Sequence, residues 1–244
     1  MNTERTLVIG DIHSGLRALI QVMDRAKVTS NDRLIFLGDY VDGWSEAVET
    51  VDFLIELDGT HSCIFLRGNH DELCLEWLAD DVINDVWQIH GGQSTIDSYQ
   101  KADDSKIDIH MMFYKNLTNY YLDTNNNLFL HAGFTNLKGV EHEYFPKTFY
   151  WDRTLWELAR SLHPEMDPND PNYPQRLTNY NEIYIGHTPV TRIGKTTPQN
   201  AANVWNIDTG AAFTGPLSII DVATKQVWQS DPVYTFYPEE TGRN

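Results

Sequence analysis

The stretch LIFLGDYVDGW, residues 34–44, begins with four apolar residues and then places Asp39 and Asp42 three positions apart beyond a glycine. A short apolar run that ends at a glycine is typical of a buried strand leading into a loop. The runs Thr6–Ile9 and Cys63–Leu66 have the same form and are also followed by Gly or Arg-Gly. The first third of the chain therefore predicts three buried strands, the second over Leu34–Leu37.

The segments between these strands have helical periodicity. Leu16, Leu19, Ile20 and Met23 recur at helical spacing in the first, and Ala47, Val51 and Leu54 do so in the second. A βαβαβ order predicts a parallel sheet with right-handed crossovers. The carboxyl ends of parallel strands meet at one edge, so residues far apart in sequence can share a crevice there.

The pattern changes after residue 71. Residues 72–117 are helical in character and predict a helical insertion, whereas Leu128–Leu130 predicts another strand, which runs into HAG. Residues 141–181 are rich in Pro, Tyr, Trp and Asn, which indicates a long loop with a helix only near 154–160. The segments IYIGH, VWNIDTG, LSIIDV and VWQSD then predict a second sheet packed on the first. Because no linker or repeat interrupts this order, we expect one domain over residues 1–244.

The amino-acid composition and charge of the chain disfavour several classes of function. The chain has 41% hydrophobic residues and no apolar run near the roughly 18 residues of a membrane span, which predicts a soluble globular protein. Its formal net charge of −17 disfavours nucleic acid and anionic membranes as partners. The N-terminal MNTERTLVIGD leaves no room for a signal peptide, so a cytoplasmic location is expected. Cys63 and Cys74 are expected to be buried free thiols.

Metal-binding side chains follow five of the predicted strands. They are Asp11 and His13 in GDIH, Asp39 and Asp42 in GDYVD, Asn69, His70 and Asp71 in GNHD, His131 in HAG, and His187 in GHT. One such residue alone is more often a turn, cap or core residue, but five strand ends with the same chemistry indicate a shared site. This oxygen and nitrogen set without thiolate suits Mn, Fe or Zn and is too large for one tetrahedral ion. Two metals about 3.5–4 Å apart are a common arrangement for attack at phosphorus.

The ordered motifs GDIH, GDYVD, GNHD, HAG and GHT resemble those of the calcineurin-like metallophosphoesterases. The resemblance is strongest to the phosphoprotein phosphatase branch, which includes bacterial serine/threonine phosphatases and symmetrical diadenosine tetraphosphate hydrolases. It implies an α/β fold in which two mixed β-sheets pack as a sandwich flanked by helices, with the metals at one edge. It also implies two divalent metal ions, with manganese expected ahead of iron or zinc.

The resemblance assigns roles to individual residues. It implies that Asp11, His13 and Asp39 hold the first metal, and that Asp39, Asn69, His131 and His187 hold the second. Asp39 is then the bridge, and a metal-bridging hydroxide is expected to attack the phosphorus in line. His70 is expected to protonate the leaving alkoxide, with Asp42 holding it in the required tautomer. Asp71 is a weaker candidate for that orienting role and is otherwise expected to cap the following helix.

An arginine that is usual in the second motif of this family is absent from this chain. The second motif usually reads GDxVDRG, with an arginine that contacts the phosphoryl oxygens, but this chain has Gly43 followed by Trp44. Arg153, in FYWDR, matches a second phosphate-contacting arginine of the bacterial relatives, and Asn69 is expected to share that role. The alternative for Arg153 is an exposed residue at a helix start, and Arg67 is expected to be structural.

Three functions are compatible with these motifs. The leading expectation is a phosphomonoesterase that acts on phosphorylated Ser or Thr, with phosphotyrosine also open, or on a small phosphoester. The alternative within the enzyme class is a symmetrical dinucleoside polyphosphate hydrolase. A non-catalytic metal-binding scaffold is the alternative of another class, and the missing arginine motivates it.

Overall fold

The chain alternates strands and helices up to residue 65 and is less regular beyond it. The computed structural model describes residues 5–243, so residues 1–4 and 244 of the expected domain lie outside the described part. The strands are β1 (Thr6–Ile9), β2 (Arg33–Phe36), β3 (Ser62–Phe65), β4 (Tyr120–Leu122), β5 (Leu128–Leu130), β6 (Ile183–Ile185), β7 (Gln199–Ala201), β8 (Val204–Asn206), β9 (Pro216–Asp221) and β10 (Val227–Pro232). The helices are α1 (Leu16–Ala26), α2 (Ala47–Asp58), α3 (Asn69–Asp80), α4 (Asp85–Trp87), α5 (Gln93–Tyr99), α6 (Asp104–Lys115), α7 (Thr148–Trp151) and α8 (Thr154–Ser161).

The predicted βαβαβ unit forms the centre of the first sheet. β1, β2 and β3 are parallel, with α1 and α2 as their crossovers, and β2 and β3 each begin one residue earlier than the sequence indicated. The described strands of this sheet have the order β10-β9-β1-β2-β3, and β9 and β10 are antiparallel to their neighbours.

The prediction that the last two strands belong to the second sheet is wrong. β9 pairs with β1 from the other end of the chain, at Leu7 with Asp221 and Ile9 with Ile219. β1 is a buried strand whose second edge has backbone groups that need partners, and β9 satisfies them. No local signal in LSIIDV specifies such a distant partner.

The second sheet has the described order β4-β5-β6-β8-β7. β5, β6 and β8 are parallel, and the edge strands β4 and β7 run antiparallel to them. Both sheets are therefore mixed, and both have parallel central strands whose carboxyl ends meet at an edge. Because the two edges face the same site, residues from both sheets contribute to it.

Successive residues of each strand point to opposite faces of its sheet, so one face packs against the other sheet and the opposite face packs against helices. Val8 and Ile35 of the first sheet pack with Phe129 and Tyr184 of the second, and these two aromatic rings stack at 4.9 Å. Alternate residues of the first sheet instead face α1, α2, α3, α5 and α6, and those of the second face α8. The sandwich flanked by helices is confirmed.

Details of the helices differ from the pattern. The helical character of residues 72–117 is confirmed by α3 to α6, but the irregular stretch also contains α7 ahead of the expected α8. Ile20 of the predicted α1 stripe is 49% exposed, because Ala18 and Val22 take the buried face instead.

Cys74 is buried as expected, whereas Cys63 is only half-buried. Among the described helices, none combines the length and apolar character needed to cross a bilayer.

Candidate active site

The loops that follow five strands place their polar residues in one buried cluster. The carboxylate or imidazole atoms of Asp11, His13 and Asp39 lie within 4.8 Å of one another, as do those of Asp39, His131 and His187. Asp39 belongs to both groups. Asn69 joins the second, since its Oδ1 lies 2.9 Å from His187 Nδ1 and 3.3 Å from His131 Nε2. The structure thus brings together every residue that the sequence proposed as a metal ligand.

Several of these residues have left-handed backbone conformations. His13, Asp39, Asp42 and His187 have φ values of 52°, 54°, 70° and 66°. Such values in residues other than glycine each cost about 1–3 kcal/mol and persist only where the surroundings enforce them, often at functional sites. The strained backbone is therefore consistent with a functional site in which these conformations direct the side chains.

Asp71 enforces part of this geometry. Its carboxylate accepts hydrogen bonds of 2.8 Å from the backbone N–H groups of Gly68, Asp39 and Tyr40. It therefore caps α3, as the sequence suggested, and also clamps the loop after β2. Burial, and then the charge of Asp39, raise the pKa of Asp71 to about 7.

Backbone carbonyl groups orient two of the histidines. His13 Nδ1 lies 3.0 Å from the carbonyl oxygen of Asp42, and His131 Nδ1 lies 2.8 Å from that of Leu37. A carbonyl oxygen only accepts, so Nδ1 carries a proton, and in the neutral form of the ring, which is the form that binds a metal ion, Nε2 has the lone pair. Each Nε2 faces Asp39 Oδ2, at 3.6 Å from His13 and 3.4 Å from His131. Both rings therefore offer a ligand atom to the cluster.

The electrostatics of the cluster suit bound cations. Burial, reinforced by Asp208, raises the pKa of Asp11 well above its ordinary value. Burial alone would also raise the pKa of Asp39, but the surrounding histidines, His131 first, hold it well below its usual range. Asp11 Oδ1 and His187 Nε2 are buried without a hydrogen-bond partner in the described part of the chain. Divalent cations would neutralise the negative charge of these carboxylates, and Asp11 Oδ1 and His187 Nε2 would then have a cation to coordinate.

Gly186, directly after β6, lets Asp11 approach the cluster. A Cβ at position 186 would lie 2.0 Å from Asp11 Oδ1. We therefore expect Gly186→Ala to displace that carboxylate and weaken the affinity for one metal ion by about 10- to 100-fold, the effect of disturbing a ligand's support. Metal titration of the variant measures this, with Gly59→Ala at the C-terminal end of α2 as the control, because its φ of −68° suits alanine and its Cβ, 3.3 Å from Glu56 O, requires only a small shift. Two ions bound with unchanged affinity in Gly186→Ala would contradict the assignment of Asp11.

His70 and Asp42 form a dyad beside the ligand cluster. His70 Nδ1 lies 2.5 Å from Asp42 Oδ2, and Trp87 Nε1 donates to the same oxygen at 2.5 Å. Thr95 Oγ1 donates to the other oxygen at 2.6 Å. The helical insertion thus positions Asp42, which in turn positions the His70 ring. Within residues 5–243, His70 Nε2 has no hydrogen-bond partner and remains available to a ligand.

A cavity of about 380 Å³ adjoins the cluster and the dyad. Its wall includes the ligands His13, Asp39, Asn69 and His187, the general-acid candidate His70, the arginines Arg153, Arg192 and Arg243, the carboxylate Asp208, and the aromatic residues Trp87, Trp151 and Phe213. Arg153 thus lies where the sequence expected a phosphate ligand, even though it is also an exposed residue at a helix start.

Sequence reasoning missed several of these residues. Asp208 is buried, and burial raises its pKa to about 6. Its segment, IDTG after β8, has the same strand-end form as the recognised motifs, so a signal for it existed. Arg192 and Arg243 had no such signal, because a turn and the C-terminal segment bring them to the cavity. Trp87 and Thr95 reach Asp42 only through the packing of the insertion.

The chain is similar to a family of phosphoesterases and to proteins named as phosphatases. The family model described as calcineurin-like phosphoesterase matches residues 4–212. The asymmetrical bis(5'-nucleosyl)-tetraphosphatase PrpE of Anoxybacillus flavithermus is 26% identical over 87% of this chain and 88% of that relative. Serine/threonine-protein phosphatase 1 of Salmonella typhimurium is 22% identical over 89% of this chain and 92% of its own. A crystal structure described as a candidate diadenosine tetraphosphatase shares the fold, with TM-score 0.64, 17% identity and 93% of both chains covered.

Proposed function

The chain belongs to the calcineurin-like phosphoesterase family, and we propose that it hydrolyses phosphomonoesters with the help of two divalent metal ions. The observation that carries the proposal is the dyad of His70 and Asp42, 2.5 Å apart, in the wall of the cavity that the ligand cluster also lines. A proton donor beside a cation site suits the cleavage of an alkyl phosphate ester, whose poor alkoxide leaving group benefits from protonation.

The residues that would hold the metals are divided by the geometry into two groups. Asp11, His13 and Asp39 would hold one ion, and Asp39, Asn69, His131 and His187 the other. The oxygen and nitrogen donors suit manganese, iron and zinc, and manganese is proposed first on the resemblance to the family. When bound, such ions neutralise phosphoryl oxygens and lower the pKa of coordinated water, from 15.7 to about 7 in favourable cases. In a chain with a net charge of −17, Asp39 and its neighbours thereby create a local site for an anion.

His70 has the role of the general acid. Asp42 accepts the hydrogen bond of Nδ1–H, so Nε2 is the nitrogen that donates a proton to the departing alkoxide. The Asp42 carboxylate stabilises the charged ring before that transfer. Such catalysis contributes typically about 10²–10⁴ in rate. Asn69 and Arg153 are proposed to contact the phosphoryl oxygens, Arg153 by charge-assisted hydrogen bonds.

Phosphorylated Ser or Thr side chains of proteins, with phosphotyrosine also open, are the proposed substrates. The cavity wall includes Val86 of the insertion, which is 66% exposed, and the neighbouring Ile89, one residue before the wall residue His90, is 80% exposed. An exposed apolar rim next to an anion site supports contact with a polypeptide. A cytoplasmic location and one domain over residues 1–244 belong to the same proposal and rest on the sequence.

A dinucleoside polyphosphate hydrolase is the second candidate. Three arginines line one cavity, which would suit a chain of several phosphates, and the aromatic rings of Trp151 and Phe213 would suit a base. The relative from Anoxybacillus flavithermus is named as an asymmetrical enzyme of this class, whereas the sequence motifs suggested the symmetrical one.

One side-by-side assay separates the candidates. We expect the Mn²⁺-loaded protein to hydrolyse p-nitrophenyl phosphate and a phosphoserine peptide, to lose both activities in EDTA, and to regain them with Mn²⁺. If only diadenosine tetraphosphate is hydrolysed, the phosphoprotein proposal is wrong, and the products (two ADP, or ATP and AMP) identify the cleaved bond. A protein that is inactive on all three substrates with Mn²⁺, Fe²⁺ and Zn²⁺ would be the non-catalytic scaffold.

A further inference from the structure

The space beside Gly43 is filled by an arginine from the other end of the chain. A Cβ on Gly43 would lie 3.5 Å from Arg243 Cγ, and one on Gly91 would lie 2.9 Å from the same atom. The aliphatic part of Arg243 therefore rests between the loop after β2 and the helical insertion. Gly91 has φ 110° and Gly43 has φ 122°, so larger residues would be strained at both places.

The two residues after Gly43 hold the C-terminal segment in position. The Trp44 ring stacks on Tyr237 at 5.2 Å and 17°, and its Nε1 donates to Ala211 O at 2.8 Å. Ser45 donates to the Glu240 carboxylate from its backbone N–H at 2.9 Å and from its hydroxyl at 2.7 Å. The unusual sequence at positions 43–45 thus omits one arginine and binds the segment that supplies another.

Arg243 is anchored by its backbone, while its guanidinium has no hydrogen-bond or ion-pair partner among residues 5–243. Its N–H donates to Ala212 O at 2.9 Å, and its guanidinium carbon lies 5.5 Å from the centre of the Phe213 ring. Its Nε is buried without a hydrogen-bond partner in the described part of the chain, although the side chain lines the catalytic cavity. A buried donor without a partner is costly, so an anion in this cavity is the expected acceptor.

The position of Arg243 relative to the metal ligands supports a phosphoryl contact. Arg243 lines the same cavity wall as His13 and Asp39, and a Cβ on Gly43 would lie 3.5 Å from both Arg243 Cγ and His13 Cβ. Desolvation lowers the pKa of Arg153, and repulsion by Arg192 and Arg243 lowers it further. None of these three arginines makes an ion pair with a described carboxylate. Their converging charges would favour an anion next to the metals.

We propose that Arg243 binds the substrate phosphoryl group in place of the arginine missing at position 43, and that Trp44 is a positioning residue for it. The inference rests on the proposed function, in that the phosphoryl group is taken as the ligand. The contact is a charge-assisted hydrogen bond from the guanidinium to phosphoryl oxygen. Position 43 can be glycine because the aliphatic part of Arg243 fills the space beside it, and this side chain brings a guanidinium to the cavity from the other end of the chain.

Kinetics of Arg243→Ala test the contact. We expect kcat/KM on p-nitrophenyl phosphate to fall by about 10- to 100-fold, the worth of one charge-assisted hydrogen bond. Arg243→Lys should keep part of the activity, and guanidinium salt in the buffer should partly restore the alanine variant. Arg160→Ala, at an exposed position on α8, is the matched control and should remain at the wild-type rate. A kcat/KM for Arg243→Ala within about 3-fold of this control would overturn the proposal.

A binding measurement separates this inference from the proposed function. Calorimetric titration of the Mn²⁺-loaded proteins with orthophosphate should give a Kd about 10- to 100-fold higher for Arg243→Ala than for wild type or Arg160→Ala. Equal affinities would overturn the role of Arg243 even in an active enzyme. If phosphate binding depends on Arg243 but no substrate is hydrolysed, the proposed function fails and this inference stands. Should Arg243→Ala not fold, the comparison of wild type with Arg243→Lys decides in the same way.

The positioning role of Trp44 has its own test. Trp44→Phe keeps the ring stack and loses the bond to Ala211, so phosphate affinity should fall by about 2- to 10-fold. In the Arg243→Ala background the same substitution should have no further effect, because its only route to phosphate is Arg243. Additive losses in the double variant would contradict the role of Trp44.

Discussion

Asparagine in place of His70 is expected to lower kcat on a phosphoserine peptide by about 10²- to 10⁴-fold. Asparagine keeps a polar side chain of similar reach but cannot donate a proton to an alkoxide as an imidazolium does. The loss on p-nitrophenyl phosphate should be smaller, because nitrophenolate leaves without protonation. Steady-state kcat values for both substrates, measured on the same preparation, give the two losses.

The comparison between substrates distinguishes proton donation from damage to the metal site. The metal content of His70→Asn should equal that of wild type, since His70 is not among the proposed ligands. His90→Asn is the matched control, because His90 lines the same cavity and, among residues 5–243, has no carboxylate partner comparable to Asp42. Its kcat should stay near wild type on both substrates. Equal losses on the two substrates for His70→Asn would contradict the general-acid role.

Asp39→Asn is expected to lower kcat/KM on every substrate by about 10³-fold or more, since stabilisation by metal charge is worth several kcal/mol. Within the described part of the chain, Asp39 is the residue common to both ligand groups. The neutral amide would leave His13 and His131 without the charge that they face at 3.6 Å and 3.4 Å. Metal analysis after dialysis should therefore find fewer than two ions per chain in the variant.

Thermal unfolding adds a readout that does not depend on activity. Because metals bound to the folded state stabilise it, EDTA should lower the Tm of wild type and leave that of Asp39→Asn nearly unchanged. Asp108→Asn, at an exposed position on α6, controls for the loss of one negative charge and should respond to EDTA like wild type. Two ions per chain and an EDTA-sensitive Tm in Asp39→Asn would refute the bridging role.

Local patterns predicted the βαβαβ unit of the first sheet and the strand ends that form the cluster, whereas the sandwich of two mixed sheets was predicted from the resemblance to the family. The apolar runs before Asp11, Asp39 and Asn69 indicated parallel strands, and parallel strands bring their carboxyl ends to one edge. That rule is sufficient to gather the ligands without any knowledge of side-chain packing. Their roles as ligands, and that of His70 as an acid, remain predictions that the variants above will test.

Only the tertiary structure decided which distant segments complete the site. β9 joins β1 although more than two hundred residues separate their ends in the sequence, and the same chain reversal brings Arg243 to the space beside Gly43. Periodicity and motif spacing carry information about neighbours along the chain. A contact such as that of Trp44 with Tyr237 instead depends on complementary packing between surfaces that are assembled only in the folded molecule. The sequence alone therefore determined that an arginine is missing at position 43, and the fold determined which arginine takes that space.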